Sequence, residues 1–272
     1  MPDTAAASPA VFPAPLRTDG YVAWTWRLYK ASFVPLFFVF FAGGVVVWLL
    51  QFGVRLLTDA AGAETTVEGF AISLATVVVF STVVGSLLSG VASFVFLRKL
   101  GGTPATSGDA WRRLRPKLGH AVVAALYTAM PLLTLLLFLG PIVPYILLPA
   151  TLGPPVIVHA IVWEHCDFRA AATRAKNLLT GNWGRVIGVL FLIALGAGLL
   201  TYMLDNILGR AILDASTGTT RRIWLGILAA TTGAALWLLA AAASTVAYLD
   251  LRSRFEDLGA EDLAAEAART TA

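Results

Sequence analysis

Two short stretches gather the side chains most able to do chemistry. Glu164-His165-Cys166-Asp167 is the densest group of metal-ligating residue types, and Tyr248-x-Asp250-x-Arg252 sets a phenol, a carboxylate and a guanidinium at alternate positions. A zinc site needs ligands that converge, as two histidines one helical turn apart do in HExxH. Consecutive residues do not converge: on a helix Glu164 and Asp167 share a face while His165 and Cys166 point elsewhere. The reading is therefore a span end followed by the N-cap of another helix, with no metal and no cofactor. His159 is a lone titratable group, better suited to packing or hydrogen bonding than to a proton relay. The single cysteine, Cys166, excludes an intrachain disulfide. The sequence contains no GxSxG, HExxH or Walker A motif, and no GxGxxG following a strand. No catalytic residue is assigned.

The elements that must position these residues are apolar. The 272 residues are 58% hydrophobic and 13% charged, where soluble domains carry about 25% charged residues, and the mean hydropathy is +0.78. The apolar residues come in runs near the roughly 20 residues needed to cross a bilayer. In hydrocarbon such runs must be helical to satisfy their own backbone. Spans are expected at about 33–57, 70–97, 119–139, 142–163, 186–208 and 223–249. The predicted fold class is an all-α polytopic membrane bundle of about six transmembrane helices, with 1–17 a disordered tail, 18–252 the membrane domain and 253–272 a cytoplasmic tail. Gly140 and Pro141 make a tight turn between the third and fourth spans, and Pro154 and Pro155 should interrupt the fourth.

Positive charge sets the orientation. Only Arg55, Arg210, Arg221 and Arg222 fall on one side, and the rest of the 20 basic residues fall on the other. Both termini are then cytoplasmic. Arg55, Glu164, Asp205 and Asp250 sit near span ends, where they can reach the interface. Among the basic residues, Arg112, Arg113, Arg115, Lys117, Arg174 and Lys176 are the candidate contacts for anionic lipid headgroups. They belong to basic, aromatic-containing segments suited to lying in the headgroup plane. Three such segments, 19–30, 107–115 and 167–179, each contain an early Asp and each precede a pair of spans. That makes a threefold repeat of interfacial helix plus hairpin. Ser81, Gly85, Ser89 and Ser93 recur every fourth position and allow close helix approach, as do Gly184 and Gly188. Packing within the bundle is the main role expected of them, with a homodimer interface the lesser one.

Two stretches carry a resemblance. One runs from Val162-Trp163-Glu164 through the basic helix to Leu178-Leu179-Thr180-Gly181-Asn182-Trp183-Gly184-Arg185. The other is Ala247-Tyr248-Leu249-Asp250-Leu251-Arg252-Ser253-Arg254-Phe255-Glu256-Asp257. Together they resemble the bacterial family named after the membrane domain of glycerophosphoryl diester phosphodiesterase, over residues 160–258. Asp257 departs from the Gly that often follows Glu there. The resemblance implies a helical bundle of about six spans in a bacterial cytoplasmic (inner) membrane. The phosphodiester hydrolysis in the family's name belongs to a separate soluble domain and is not carried over. Glu164, Trp183, Tyr248, Asp250 and Arg252 are the residues to test, as hydrogen bonds and ion pairs that lock interfacial helices to span ends. The expected function is a non-enzymatic integral membrane protein that scaffolds or assists a membrane complex. Its partners are the bilayer and another membrane protein, with no nucleic acid. The alternative is a transporter or lipid-handling protein. An intramembrane enzyme would need Glu164, Asp250 or His159 to converge on a cavity.

Overall fold

The computed structural model describes residues 16–62, 66–100, 102, 105–139, 153–215, 217–256, 262 and 265, and among these it is helical with no strand. Helix α1 is Thr18–Ala60, α2 Val67–Leu100, α3 Ser107–Leu114, α4 Leu118–Leu139, α5 Gly153–Trp163, α6 Phe168–Leu179, α7 Trp183–Ala215 and α8 Gly218–Glu256; a 3₁₀ turn, Arg115–Lys117, joins α3 to α4. Three segments, Asp19–Ala60 in α1, Ala71–Leu100 in α2 and Ile223–Glu256 in α8, are long and apolar enough to cross a membrane. At 1.5 Å per residue each exceeds the roughly 30 Å hydrocarbon core. The loop at Gly140 and Pro141, and the fourth span before Gly153 with Pro144 and Pro149, lie outside the described residues. Whether Pro154 and Pro155 interrupt the expected span 142–163 turns on residues before Gly153, outside the described ones; within α5 nothing is broken. Both prolines stand in its first turn, where a missing N–H leaves no intrahelical bond unmade.

The three basic segments part company. Segments 107–115 and 167–179 form the separate short helices α3 and α6, whereas 19–30 does not: α1 runs unbroken from Thr18 to Ala60. The early aspartates differ in the same way. Asp167 is a true N-cap, accepting from the Ala170 N–H at 2.8 Å. Asp109 is instead the third residue of α3, which Thr106 caps, and Asp19 merely lies in the first turn of α1. The Thr106–Asp109 pair is a reciprocal capping box. Hydrogen bonds from the Thr106 backbone, then its hydroxyl, then Arg112 hold the Asp109 carboxyl down to about 2. A depressed carboxylate contributes above its unfolded value and is lost as pH falls through its folded value. The cap is therefore expected to hold through ordinary acid conditions and to open near pH 2, read as the midpoint of the Asp109 carboxyl ¹³C titration. A midpoint near the ordinary 3.8 would mean that the box is not closed.

Pro35 lies inside α1 without breaking it. Proline has no N–H, so it leaves the carbonyl four residues back unpaired. That carbonyl belongs to Ala31, and the Lys99 ammonium at the end of α2 donates to it. Lys99→Met is expected to cost about 1 kcal/mol in the native chain. In a Pro35→Ala background it should cost close to nothing, because the substituted residue regains an N–H and takes the carbonyl back. Equal losses in both backgrounds, in a thermal unfolding cycle, would detach Lys99 from the proline.

Helix α8 is the axis of the bundle. It packs on α1, α2, α5, α6 and α7, and from Ala241 to Ser253 every residue is buried. A helix enclosed on all sides must be apolar or internally paired all round, and α8 is both. Small residues permit the crossings. A Cβ on Gly44 would lie 3.2 Å from the Ala230 carbonyl oxygen, and one on Gly90 2.9 Å from Val158. In the α2 stripe Ser89 and Ser93 are buried, and Gly85 faces Trp237. A Cβ on Gly184 or Gly188, by contrast, would meet nothing within 4 Å, so neither packs against a described part of the chain.

The expected domain limits move at both ends. Leu16, assigned to the tail, is buried at 3% exposure. Arg252, Ser253 and Arg254 continue α8 through the expected boundary at 252.

Candidate functional site

Two polar clusters meet on the last turns of α8. Positions 248, 252 and 256 are successive i, i+4 steps along one face, while 250 and 254 make the same step on the opposite face, because two residues rotate a helix by about 200°. One face carries Tyr248, Arg252 and Glu256, and the other carries Asp250 and Arg254.

The first face meets the end of α5. Chain direction changes after Trp163: Glu164 to Asp167 are not helical, and His165 takes a left-handed φ of 52°. Glu164 and Asp167 therefore do not share a helix face. Glu164 turns inward, where its Oε1 accepts from the Tyr248 hydroxyl at 2.8 Å and from Arg174 Nε of α6 at 2.9 Å. Arg252 Nε stands 3.9 Å from the same oxygen. Glu256 closes the circuit by pairing with Arg252 at 2.8 Å and with Arg174. Two carboxylates and two guanidiniums thus alternate in a ring that is neutral overall and joins α5, α6 and α8. The Arg252 guanidinium also lies 5.8 Å from the Trp163 ring centroid and 5.9 Å from that of Tyr248, within cation–π range. Beneath Tyr248, buried His159 has Nε2 3.1 Å from the Thr245 hydroxyl and its ring edge-on to Tyr248 at 5.6 Å.

The second face clasps the start of the chain. Asp250, only 1% exposed, does not reach the interface. Its Oδ1 accepts the Leu16 N–H at 2.6 Å, and its Oδ2 accepts the Tyr21 hydroxyl at 2.7 Å and Arg254 Nε at 2.9 Å. The Leu16 carbonyl accepts from Arg254 Nη2 at 2.8 Å and from Arg185 of α7, and the Arg185 guanidinium lies over the Tyr21 ring. The main-chain groups just before α1 are satisfied by side chains from α7 and α8, as a buried helix start requires.

Of the residues singled out from the sequence, Glu164, Tyr248 and Arg252 meet in one cluster and Asp250 anchors the other. Trp183 is the first residue of α7, and its side chain lies outside the described residues. Arg174 and Arg113 both make contacts within the chain. Arg174 is bound into the ring. Arg113 lies over Phe94 and donates to the carbonyls of Val162 at 3.1 Å and Trp163 at 3.4 Å, closing the C-terminal end of α5. Arg112, Arg115 and Lys176 are exposed and Lys117 is half-buried. Tyr21, Arg185, Arg254 and Glu256 are not among the site residues expected from the sequence. The i, i+4 spacing of Asp250 with Arg254 and of Arg252 with Glu256 is the signal that marks two of them.

A cleft of about 490 Å³ opens beside the ring, lined by Glu164, Cys166, Asp167, Arg169, Thr173 and Asn177 among others. Burial, then the neighbouring Glu164 carboxylate, push the Cys166 thiol up, which keeps it protonated and a poor nucleophile. Its Sγ donates to the Ala160 carbonyl at 3.5 Å. Among the described residues no three His, Cys, Asp or Glu side chains come together as metal ligands. The charged groups of the two clusters are ligands for one another, and the chemistry they perform is to fasten five helices at one end of the bundle.

No family model, no curated protein and no solved structure matches this chain. The fold and the clusters define it as an α-helical protein with, among the described residues, three helices of membrane-crossing length and apolarity.

Proposed function

We propose that this chain is a non-enzymatic integral membrane protein that serves as a scaffold or accessory subunit of a membrane complex. The observation that carries the proposal is the outer face of α7. Gly184, Gly188, Leu192, Gly196, Leu199 and Met203 follow one another at three- and four-residue steps, and all are exposed. Among the described residues none of the three glycines has a neighbour within 4 Å of where a Cβ would stand. Glycines at this spacing let a second helix approach closely. Helix α7 itself packs on α8 and slightly on α1, and among the described residues the three glycines of this stripe face open space, where a partner helix would fit. The proposal includes about six spans, the interfacial-helix repeat, cytoplasmic termini in a bacterial inner membrane, anionic headgroups at the basic face, and kinship with the phosphodiesterase membrane-domain family. The last rests on the motifs around Glu164 and Tyr248-x-Asp250-x-Arg252.

The test is extraction into native lipid particles without detergent, with mass spectrometry of what co-purifies. A stoichiometric membrane-protein partner that is lost on Gly188→Leu is the expected result. A chain that is monomeric and partnerless in those particles would overturn the proposal. A second reading, lipid handling or transport, draws on the cleft beside Glu164. A single enriched lipid or small molecule without a protein partner would favour it.

A further inference from the structure

Apart from the two clusters, a third group of charges gathers at the junction of α2, α3 and the α5–α6 turn. Arg113 commits two of its N–H donors to the Val162 and Trp163 carbonyls, and the guanidinium fork has others to offer. Two residues beyond Trp163, the left-handed His165 brings an exposed imidazole to the same corner. The 3₁₀ turn that Pro116 helps to set delivers Lys117. Both Arg113 and Lys117 act on His165, and Arg98 acts on Arg113. Among the described residues no carboxylate pairs with Arg113 or Lys117. The flanking acids are committed elsewhere, Glu164 to Tyr248 and Arg174, and Asp167 to the Ala170 N–H.

Like charges held together without a counter-ion repel, and an anion placed among them reverses the sign of the interaction. A guanidinium fork, an ammonium and an imidazole N–H match the several acceptor oxygens of a phosphate. The corner lies beside α3, whose Ala110 and Leu114 are buried while Trp111 and Arg112 are exposed, the arrangement of a helix resting in a headgroup layer. We propose that Arg113, Lys117 and His165 form a binding site for a phosphate group, of the kind carried by an anionic phospholipid headgroup or by a small soluble phosphoester. Only the lipid source rests on the membrane proposal above. The phosphate site itself does not.

The test uses the full chain in phosphatidylcholine nanodiscs, with its 3 histidines labelled with ¹⁵N and the His165 signal assigned by its loss in His165→Gln. Phosphatidylglycerol is added to the discs in one arm and inorganic phosphate, at constant ionic strength, to the solution in the other. In the unliganded chain burial, then Arg113 and Lys117, hold His165 below its ordinary value. Glu164, Asp167 and Cys166 are its titratable sequence neighbours. A bound phosphate offsets the two cations, so the His165 titration midpoint moves upward. Lys117→Gln is expected to weaken that response roughly tenfold, while Arg210→Gln, which removes an equal charge from the exposed surface of α7, leaves it unchanged. A response to phosphatidylglycerol alone supports the site with a lipid source. A response to inorganic phosphate supports it with a soluble source. A His165 signal unmoved in both arms overturns the site, as does equal weakening by Lys117→Gln and Arg210→Gln. Alkaline carbonate extraction of the same protein, run in parallel, reports separately on membrane insertion.

Discussion

Asp250→Ala is expected to destabilise the folded chain by about 3–5 kcal/mol, the range for removing one partner of a buried ion pair. The carboxylate is 1% exposed and accepts from a main-chain N–H, a phenol and a guanidinium. Its loss leaves the Tyr21 hydroxyl and the Leu16 N–H without an acceptor in a site that water does not reach. Arg254 keeps only the Leu16 carbonyl, and its charge loses its counter-ion. Tyr21→Phe removes one neutral donor from the same carboxylate and should cost about 1 kcal/mol. The measurement is unfolding in detergent micelles, paired with hydrogen exchange over residues 16–22. In Asp250→Ala that segment should lose its protection before the rest of α1. A loss below about 1 kcal/mol, with exchange unchanged at Leu16, would remove Asp250 from its place as the anchor of the chain start.

That anchor marks where sequence and structure diverge. Asp250 is an acid in an apolar segment, which is costly unless paired, and the i, i+4 arginine at 254 is legible as its partner. The main chain of Leu16 is not legible, because a side-chain pattern carries no record of which backbone groups a distant carboxylate will cap. An Ala/Pro-rich start reads as tail, yet its last residues are held by three side chains from α7 and α8. Positive charge is an incomplete guide in a related way. Arg113 and Arg174 have the composition and spacing of headgroup contacts, and they are identical in kind to Arg112 and Arg115. Only packing shows that one closes the end of α5 and the other bridges Glu164 and Glu256. The expected helices are legible where apolar length is a property of local sequence: α4 covers 119–139, and 223–249 lies inside α8, which is long and apolar enough to cross a membrane. The interfacial segments are less so. Whether 19–30 breaks from the following helix depends on a terminator, and the helix breaker nearby, Pro35, has its freed carbonyl taken by Lys99.

Glu164→Gln should lower stability by about 2–3 kcal/mol. That is less than the loss at Asp250, because the Glu164 side chain is 24% exposed and solvent screens part of the interaction. The substitution keeps the shape and an acceptor for the Tyr248 hydroxyl but removes one of two carboxylates from a four-charge ring. Of the ring's carboxylates only Glu256 then remains to Arg174 and Arg252, and the ring carries a net positive charge. Its physical signature is non-additivity. If the ring acts as a unit, Glu164→Gln with Arg174→Gln restores neutrality and should be closer to the native chain than Glu164→Gln alone, since replacing both members of an enclosed pair is often near neutral while removing one is not. The coupling energy from the four unfolding curves should then exceed about 1 kcal/mol. Additive losses would reduce the ring to independent surface pairs, and α6 would have to be held by its apolar face through Ala171, Ala175, Leu178 and Leu179 alone. The same cycle separates a fastening role from a binding role. A cleft ligand that needed the Glu164 charge would be lost in both the single and the double variant, whereas the fold returns only in the double.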